Sequence, residues 1–302
     1  MVSSGGGIVI NFHKYSFLDT KKLKAYLEGS NYWLSRFNPI WLFIWSDLYK
    51  PEICFTNTNC FIRFLMPEVG ICYYPPLGEG NLRLAIDAMK EDAFENGIDF
   101  NITPVDTNFK IKLEKLGIRT YENEKYYSYI YLAEDVGFFK GNKYKKQQKL
   151  CKLFESSYPN TFFSKIKKEE FPTLLEFINN WNNKMARDPN DVSFFARLNM
   201  IKKCIEHLYE LDLISLVLKD EERIYGFAVG SEMDNVVSLH LLIADSEVPG
   251  AKEELISSFA KLASTKAKYL NLEETLGIKE DIELKESYFP LEREKFYATF
   301  KL

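Results

Sequence analysis

Histidine is scarce in this chain, with three in 302 residues, and the five cysteines (Cys54, Cys60, Cys72, Cys151, Cys204) are widely spaced with no CxxC pair. That combination argues against a disulfide framework or a structural zinc site and for free thiols in a reducing cytoplasm, with no metal expected. Long apolar runs are missing too. The segment Pro39 to Trp45 is less than half of the ~20 residues that span a bilayer, so no transmembrane segment is expected. The opening MVSSGGGIVINF lacks the basic and apolar regions of a signal peptide. The expected location is cytoplasmic, with peripheral contact at a membrane left open. Neither sign of charge dominates, since 39 basic against 43 acidic residues leave −4. Contact with a polyanion must therefore be regional.

What is present is core material: 46% of residues are hydrophobic and 15% aromatic. The length suits about two domains of roughly 150 residues. Short strands are predicted around 53–55, 60–65 and 70–74, with turn residues Asn57-Thr58-Asn59 and Pro67 to Gly70 between them. A Pro-Leu-Gly-Glu-Gly loop follows, then a helix with Leu82, Ile86, Met89 and Ala93 on one face, then a strand at 98–102. The same order recurs about 160 to 170 residues later. Strands at 213–218, 224–229 and 236–243 precede a loop ending in Gly250, a helix bearing Leu255, Phe259 and Leu262, and a strand at 269–271. Each copy then runs into a short turn ending in glycine, 114–117 and 274–277. Two helices precede each meander, about 18–27 and 41–48 in the first half. In the second half two apolar stripes mark them: Phe171, Leu174, Ile178, Trp181, Met185, and Phe194, Leu198, Ile201, Ile205, Leu208. The order predicts an α/β (α+β) chain of two tandem acetyltransferase-like domains, each a mainly antiparallel mixed sheet flanked by helices. The expected domains are 1–133 and 134–302.

Several motifs carry a family resemblance. Phe43-Ile44-Trp45-Ser46-Asp47-Leu48-Tyr49, the loop at 76–80, Tyr129 to Leu132, Gly141 to Tyr144, Asn271 to Ile278 and Ser287 to Glu292 occur in an order that resembles the phosphatidylglycerol lysyltransferase C-terminal domain family. The resemblance implies a tandem acetyltransferase-like fold and passage of an aminoacyl group from a charged transfer RNA to a lipid head group. The sequence departs from the family pattern at some polar positions: Leu272 stands where an arginine is expected, and Glu283 to Glu286 replaces a basic cluster. Arginine's planar fork has no equivalent in leucine or glutamate.

Acyl transfer requires a polarised donor carbonyl and an acceptor relieved of its proton. His240, on a strand where alternation places it with Ser238 and Leu242, is a candidate base, against the alternative of a packed core histidine. Glu273 and Glu274 with Asn271 are candidates to hold an ammonium, against the alternative of capping a helix. Tyr288 is a candidate hydroxyl donor and Lys285 a substrate contact, with Lys143 and Tyr144 at the join between domains as donor contacts. Gly78, Gly80 and Gly250 precede helices whose N-termini suit anions, against plain strand-to-helix turns. Neither loop has the glycine-rich pattern that binds coenzyme A pyrophosphate, which disfavours acetyl-CoA. Aminoacyl-tRNA or acyl-CoA is the expected donor, with no certain cofactor. Six lysines lie between Lys140 and Lys152. On a helix, Lys145, Lys149 and Lys152 share a face that fits tRNA or an anionic lipid surface, against a merely solvated face. The leading expectation is an acyl or aminoacyl transferase acting on a small amine or hydroxyl acceptor or a lipid. The alternative is a diverged, non-catalytic ligand- or partner-binding protein of the same fold.

Overall fold

A computed structural model describes residues 8–30, 32–185 and 192–301. The leading residues 1–7 and the side chains of Met185 and Phe194, at the ends of the two apolar stripes, lie outside that description. The chain divides into two units, Met1–Ser128 with Glu294–Leu302, and Tyr129–Arg293. Each carries a mainly antiparallel sheet flanked by helices, as the order of elements predicts.

In the first unit the strands His13–Lys14, Glu52–Phe55, Asn59–Met66 and Gly70–Tyr73 lie side by side, and Leu77–Gly78 also pairs with Asn59–Met66. The helix Leu82–Glu95 buries Ile86, Met89 and Ala93. Asn81 caps it, its side chain accepting from the Leu84 amide at 3.1 Å. The expected strand at 98–102 is reduced to a single parallel bridge, Tyr73 to Ile102. A helix Thr107–Lys115, capped by Asp106, stands where only a short turn at 114–117 was expected. The end of the chain returns to this unit. Tyr297–Ala298 pairs with Tyr121–Glu122, and Val105 and Tyr297 exchange backbone bonds of 3.0 and 2.8 Å.

In the second unit, among the described residues, a seven-stranded sheet runs in the order Glu292–Glu294, Ser128–Leu132, Tyr269–Asn271, Val236–Ala244, Ile224–Met233, Ile214–Lys219, Phe162–Ser164. The pair Val236–Ala244 and Tyr269–Asn271 is parallel. The strand Ser128–Leu132 is its antiparallel neighbour on the other side of Tyr269–Asn271. The contact boundary thus falls at Ser128/Tyr129, five residues before the 133/134 division read from the sequence, because Tyr129, Ile130 and Tyr131 are core residues of the second sheet. The three long strands are buried along almost their whole length. Both faces are covered, which is why they read as continuous apolar runs and not as alternation. On one side the helix Ala251–Ser264 buries Leu255, Phe259 and Ala263, three positions four residues apart. Burying each large side chain of that stripe contributes about 1.5–3 kcal/mol.

Candidate active site

The parallel pairing of Val236–Ala244 with Tyr269–Asn271 ends at Ser238 and Asn271. Beyond that pair a cavity of about 350 Å³ opens. Leu239, His240 and Leu242 line it from one strand and Leu272, Glu273 and Glu274 from the other. Lys252 and Ile256 come from the helix Ala251–Ser264, and Asp281, Leu284, Lys285 and Tyr288 from the helix Lys279–Glu286 and the residues after it.

A β-bulge shapes the first wall. Val229 pairs with Leu241 and Gly230 with Leu239, so His240 is the extra residue between them. Bulges re-aim side chains and increase local twist. The bulge breaks the period of two on this strand: Leu239, His240 and Leu242 line the cavity, while Ser238 stands opposite Ser231, whose hydroxyl meets the His240 ring. Gly230 is required at the bulge, since a Cβ there would lie 2.4 Å from the Ser238 carbonyl oxygen and 2.8 Å from the Phe259 ring.

The second wall is held by backbone bonds and one side chain. The Asn271 amide oxygen accepts from the Glu273 N–H at 2.7 Å, the Leu272 N–H donates to the Tyr129 carbonyl at 2.9 Å, and the Tyr129 N–H donates to that of Glu273 at 3.3 Å. These bonds hold Glu273 at φ 61°, in the left-handed region. That conformation costs a non-glycine residue roughly 1 kcal/mol and is typical of residues whose placement matters. Asn271 therefore caps a turn. The helix after it begins at Lys279 rather than at 273, so the helix-capping alternative does not describe this segment.

Within the cavity, His240 Nδ1 and Glu273 Oε1 are 2.7 Å apart, and His240 Nε2 lies 2.7 Å from Ser231 Oγ. The imidazole side chain is fully enclosed and that of Glu273 is 14% exposed. Lys285 Nζ donates to the Glu274 carbonyl at 2.8 Å and pairs with Asp281 at 3.0 Å. Its charge is thus compensated inside the site. Tyr288 is buried, and its hydroxyl has no hydrogen-bond partner among the described residues. Burial, then the nearby Glu253 carboxylate, pushes its phenol above the ordinary range, so it stays protonated and able to donate.

Of the residues expected at a site, His240, Glu273, Glu274, Lys285 and Tyr288 converge on this cavity, with Asn271 directly behind it. Lys143 and Tyr144 do not line it. Tyr144 is buried, donates from its hydroxyl to the Tyr288 carbonyl at 2.8 Å and so anchors that residue; burial pushes its phenol up to about 12. Lys143 lies over the rings of Tyr144 and Phe289. The three glycines expected to cradle an anion have a packing reason of their own. The Glu79 and Gly80 amides both donate to the Thr58 carbonyl, and a Cβ at Gly78 or Gly80 would strike Thr58, Tyr26 or Asn59. Gly250 lies against the Leu150 carbonyl, 2.2 Å from where a Cβ would stand, and Glu253 and Glu254 occupy the first turn beyond it. These loops are closely packed turns. Lys145, Lys149 and Lys152 do lie on a helix, Lys145–Ser157. With Lys146, Gln148 and Leu150 they line a recess of about 590 Å³.

Ser231, Asp281 and Lys252 escaped the sequence reading. Asp281 carried a signal, its spacing of four from Lys285 on a helix. Ser231 carried only its polarity within an apolar strand.

The model of the family described as phosphatidylglycerol lysyltransferase, C-terminal, matches residues 34–299. The chain belongs to this family. No curated protein matches it. Among solved structures, a conserved protein of unknown function from Bacteroides thetaiotaomicron VPI-5482 is 23% identical with a TM-score of 0.90, over 97% of this chain and 100% of that one. L-PGS from Bacillus licheniformis is 16% identical with a TM-score of 0.65, over 92% of this chain and 90% of that one. FemX is 10% identical with a TM-score of 0.62, over 97% and 98%. At these identities the likenesses establish the fold, and the family match rests on the sequence. Membership accounts for the acetyltransferase-like fold of this lysyltransferase-family chain. No helix of the described residues is long and apolar enough to cross a membrane.

Proposed function

We propose that this chain is a transferase that moves an acyl group, of aminoacyl type as the family name suggests, to an amine or hydroxyl acceptor in the cavity of the second unit. The observation that carries this reading is the convergence of the His240–Glu273 pair and Tyr288 on one cavity of about 350 Å³. Glu273, the more exposed member of the pair, takes the acceptor's proton, with His240 orienting its carboxylate. The protonated Tyr288 hydroxyl donates to the oxygen on which charge develops. With Asp281 already paired to Lys285, Glu274 adds the negative charge suited to the ammonium of an aminoacyl group, and Leu239, Leu242, Ile256, Leu272 and Leu284 suit its aliphatic part. The recess of Lys145, Lys149 and Lys152 would meet the phosphates of the donor tRNA, or an anionic bilayer at which the chain acts peripherally.

The test is incubation of the purified chain with labelled aminoacyl-tRNAs and acyl-CoAs over a panel of lipids, amines and alcohols. Label should move to one acceptor class, and Glu273→Gln should lower the rate by about 10²–10⁴. No transfer from any donor would overturn the enzyme reading. It would favour the non-catalytic alternative, which the compensation of Lys285 by Asp281 also supports. Binding of tRNA should weaken as salt rises and as the three lysines become alanine.

A further inference from the structure

We propose that Ser231 is a positioning residue of this site, holding His240 in one tautomer so that the ring presents its Nδ1 proton to Glu273; the proposal rests on the function read above and extends it to a residue outside the cavity. Three side chains form a single file across the sheet. Ser231 Oγ lies 2.7 Å from His240 Nε2, and His240 Nδ1 lies 2.7 Å from Glu273 Oε1. Exposure rises along the file. As whole residues Ser231 is 3% and His240 7% exposed, and Glu273 is half-buried. Glu273 is therefore the member that meets substrate, and the other two act through it.

The protons of the file are coupled. A neutral imidazole has one N–H and one bare nitrogen. If Nδ1 carries the proton it donates to the Glu273 carboxylate, and the bare Nε2 accepts the Ser231 O–H. With the proton on Nε2, Nδ1 would face a carboxylate as acceptor to acceptor, and Glu273 would need a proton of its own to keep the contact. The acceptor-only carboxylate selects the first arrangement, and the serine hydroxyl, which can donate or accept, completes it by donating to the bare Nε2 inside the sheet, where water does not compete. Glu273 is then a carboxylate before reaction. It takes the acceptor's N–H or O–H proton on the oxygen that His240 does not hold. It returns that proton to the leaving group of the donor, the oxygen of an ester or the sulfur of a thioester, as the new acyl bond forms and the old C–O or C–S bond breaks. The imidazole keeps its own proton throughout, so no net charge enters the enclosed end of the file.

The backbone is built for this contact. In regular pairing the residue of Val236–Ala244 opposite Ser231 is Ser238, and it remains so. The extra residue at the bulge allows the His240 ring to reach Ser231 along the strand while still meeting Glu273. Gly230, beside Ser231, lets the two strands approach closely enough at that point. A histidine packed only for burial would need one partner for each ring nitrogen, but not one of them a carboxylate at the wall of a cavity.

The test is nitrogen-15 NMR of the full chain labelled in histidine, whose three rings are assigned by substituting His13 and His207 in turn. In the wild type His240 should show a protonated Nδ1 and a bare, hydrogen-bonded Nε2. Ser231→Ala should shift both resonances toward a mixture of tautomers, and Ser231→Thr, which keeps the hydroxyl, should restore them. In the transfer assay Ser231→Ala should lower kcat by about tenfold or more, as a lost tautomer does, with KM within about twofold. A wild-type ring protonated at Nε2, a spectrum unchanged in Ser231→Ala, or an unchanged kcat would each overturn the proposal. If the wild type transfers nothing, the functional reading fails on its own, and the ring spectra still decide what Ser231 does to His240.

Discussion

Tyr288 separates a structural role from a chemical one. Its hydroxyl is buried without a partner among the described residues, a state that ordinarily costs about 1–3 kcal/mol. Tyr288→Phe should therefore leave thermal stability unchanged or raise it slightly, while the transfer rate falls. A melt and a rate assay on the same preparation check this, and an unaltered rate would remove Tyr288 from the chemistry. At this scale the sequence was partly legible. His240 stood out as the one histidine in an apolar strand, and Glu273 and Glu274 as an acidic pair. Their separation of 33 residues hid the contact between His240 and Glu273. Arg36 is a harder case. Its guanidinium lies 4.7 Å from the Tyr126 ring centre and 5.0 Å from that of Trp41, with Phe296 at 5.8 Å. Nothing near it in sequence announces an enclosure assembled from such distant segments.

At the scale of elements, the bulge is the feature to perturb. A Cβ at Gly230 would meet the Ser238 carbonyl oxygen, a backbone atom that cannot rotate away. Gly230→Ala should destabilise the protein by about 1–3 kcal/mol, as overpacking does, and abolish the placement of His240. Denaturant melts would read the first effect and the transfer assay the second. A different element tests an ion pair. The Tyr127 hydroxyl, then Lys295, holds the Glu122 carboxyl below its usual range. A depressed carboxyl stabilises the fold above its unfolded value and ceases to do so as pH falls through the folded one. The gap in melting temperature between wild type and Glu122→Gln should therefore be present at neutral pH and close as the solution is acidified below about pH 4. A gap that persists in acid would show that the pair's charge is not what holds the returning segment to Tyr121–Glu122. Helices and hairpins were legible because they rest on local periodicity and turn residues. The strand at 98–102 was not, because a short apolar segment becomes a strand only if a neighbour offers it a ladder, and Ile102 finds a single bridge.

For the whole molecule, the units do not follow one cut in the chain. Ser128–Leu132 completes the second sheet beside Tyr269–Asn271, with Ile130 and Tyr131 almost fully buried. A fragment beginning at 134 should therefore melt without cooperativity or aggregate, whereas one beginning at 129 should show dispersed amide resonances. Equal behaviour of the two would mean that this strand adds little to the second unit. The net −4 of the chain describes neither the lysine recess nor the carboxylate-lined cavity, which lie in the same unit.

The sequence by itself determined the class of fold and the family, because element order, helix stripes, turn residues and the succession of motifs are all properties of neighbours along the chain. Only the tertiary structure decided the site. The end of parallel pairing at Ser238 and Asn271, the bulge that turns His240, and the strained backbone of Glu273 arise from contacts between segments tens of residues apart. The glycine loops show the converse. Their sequence suited an anion, but close approach of neighbouring backbone and side chains is itself a reason for glycine at these positions, and that approach is visible only in the fold.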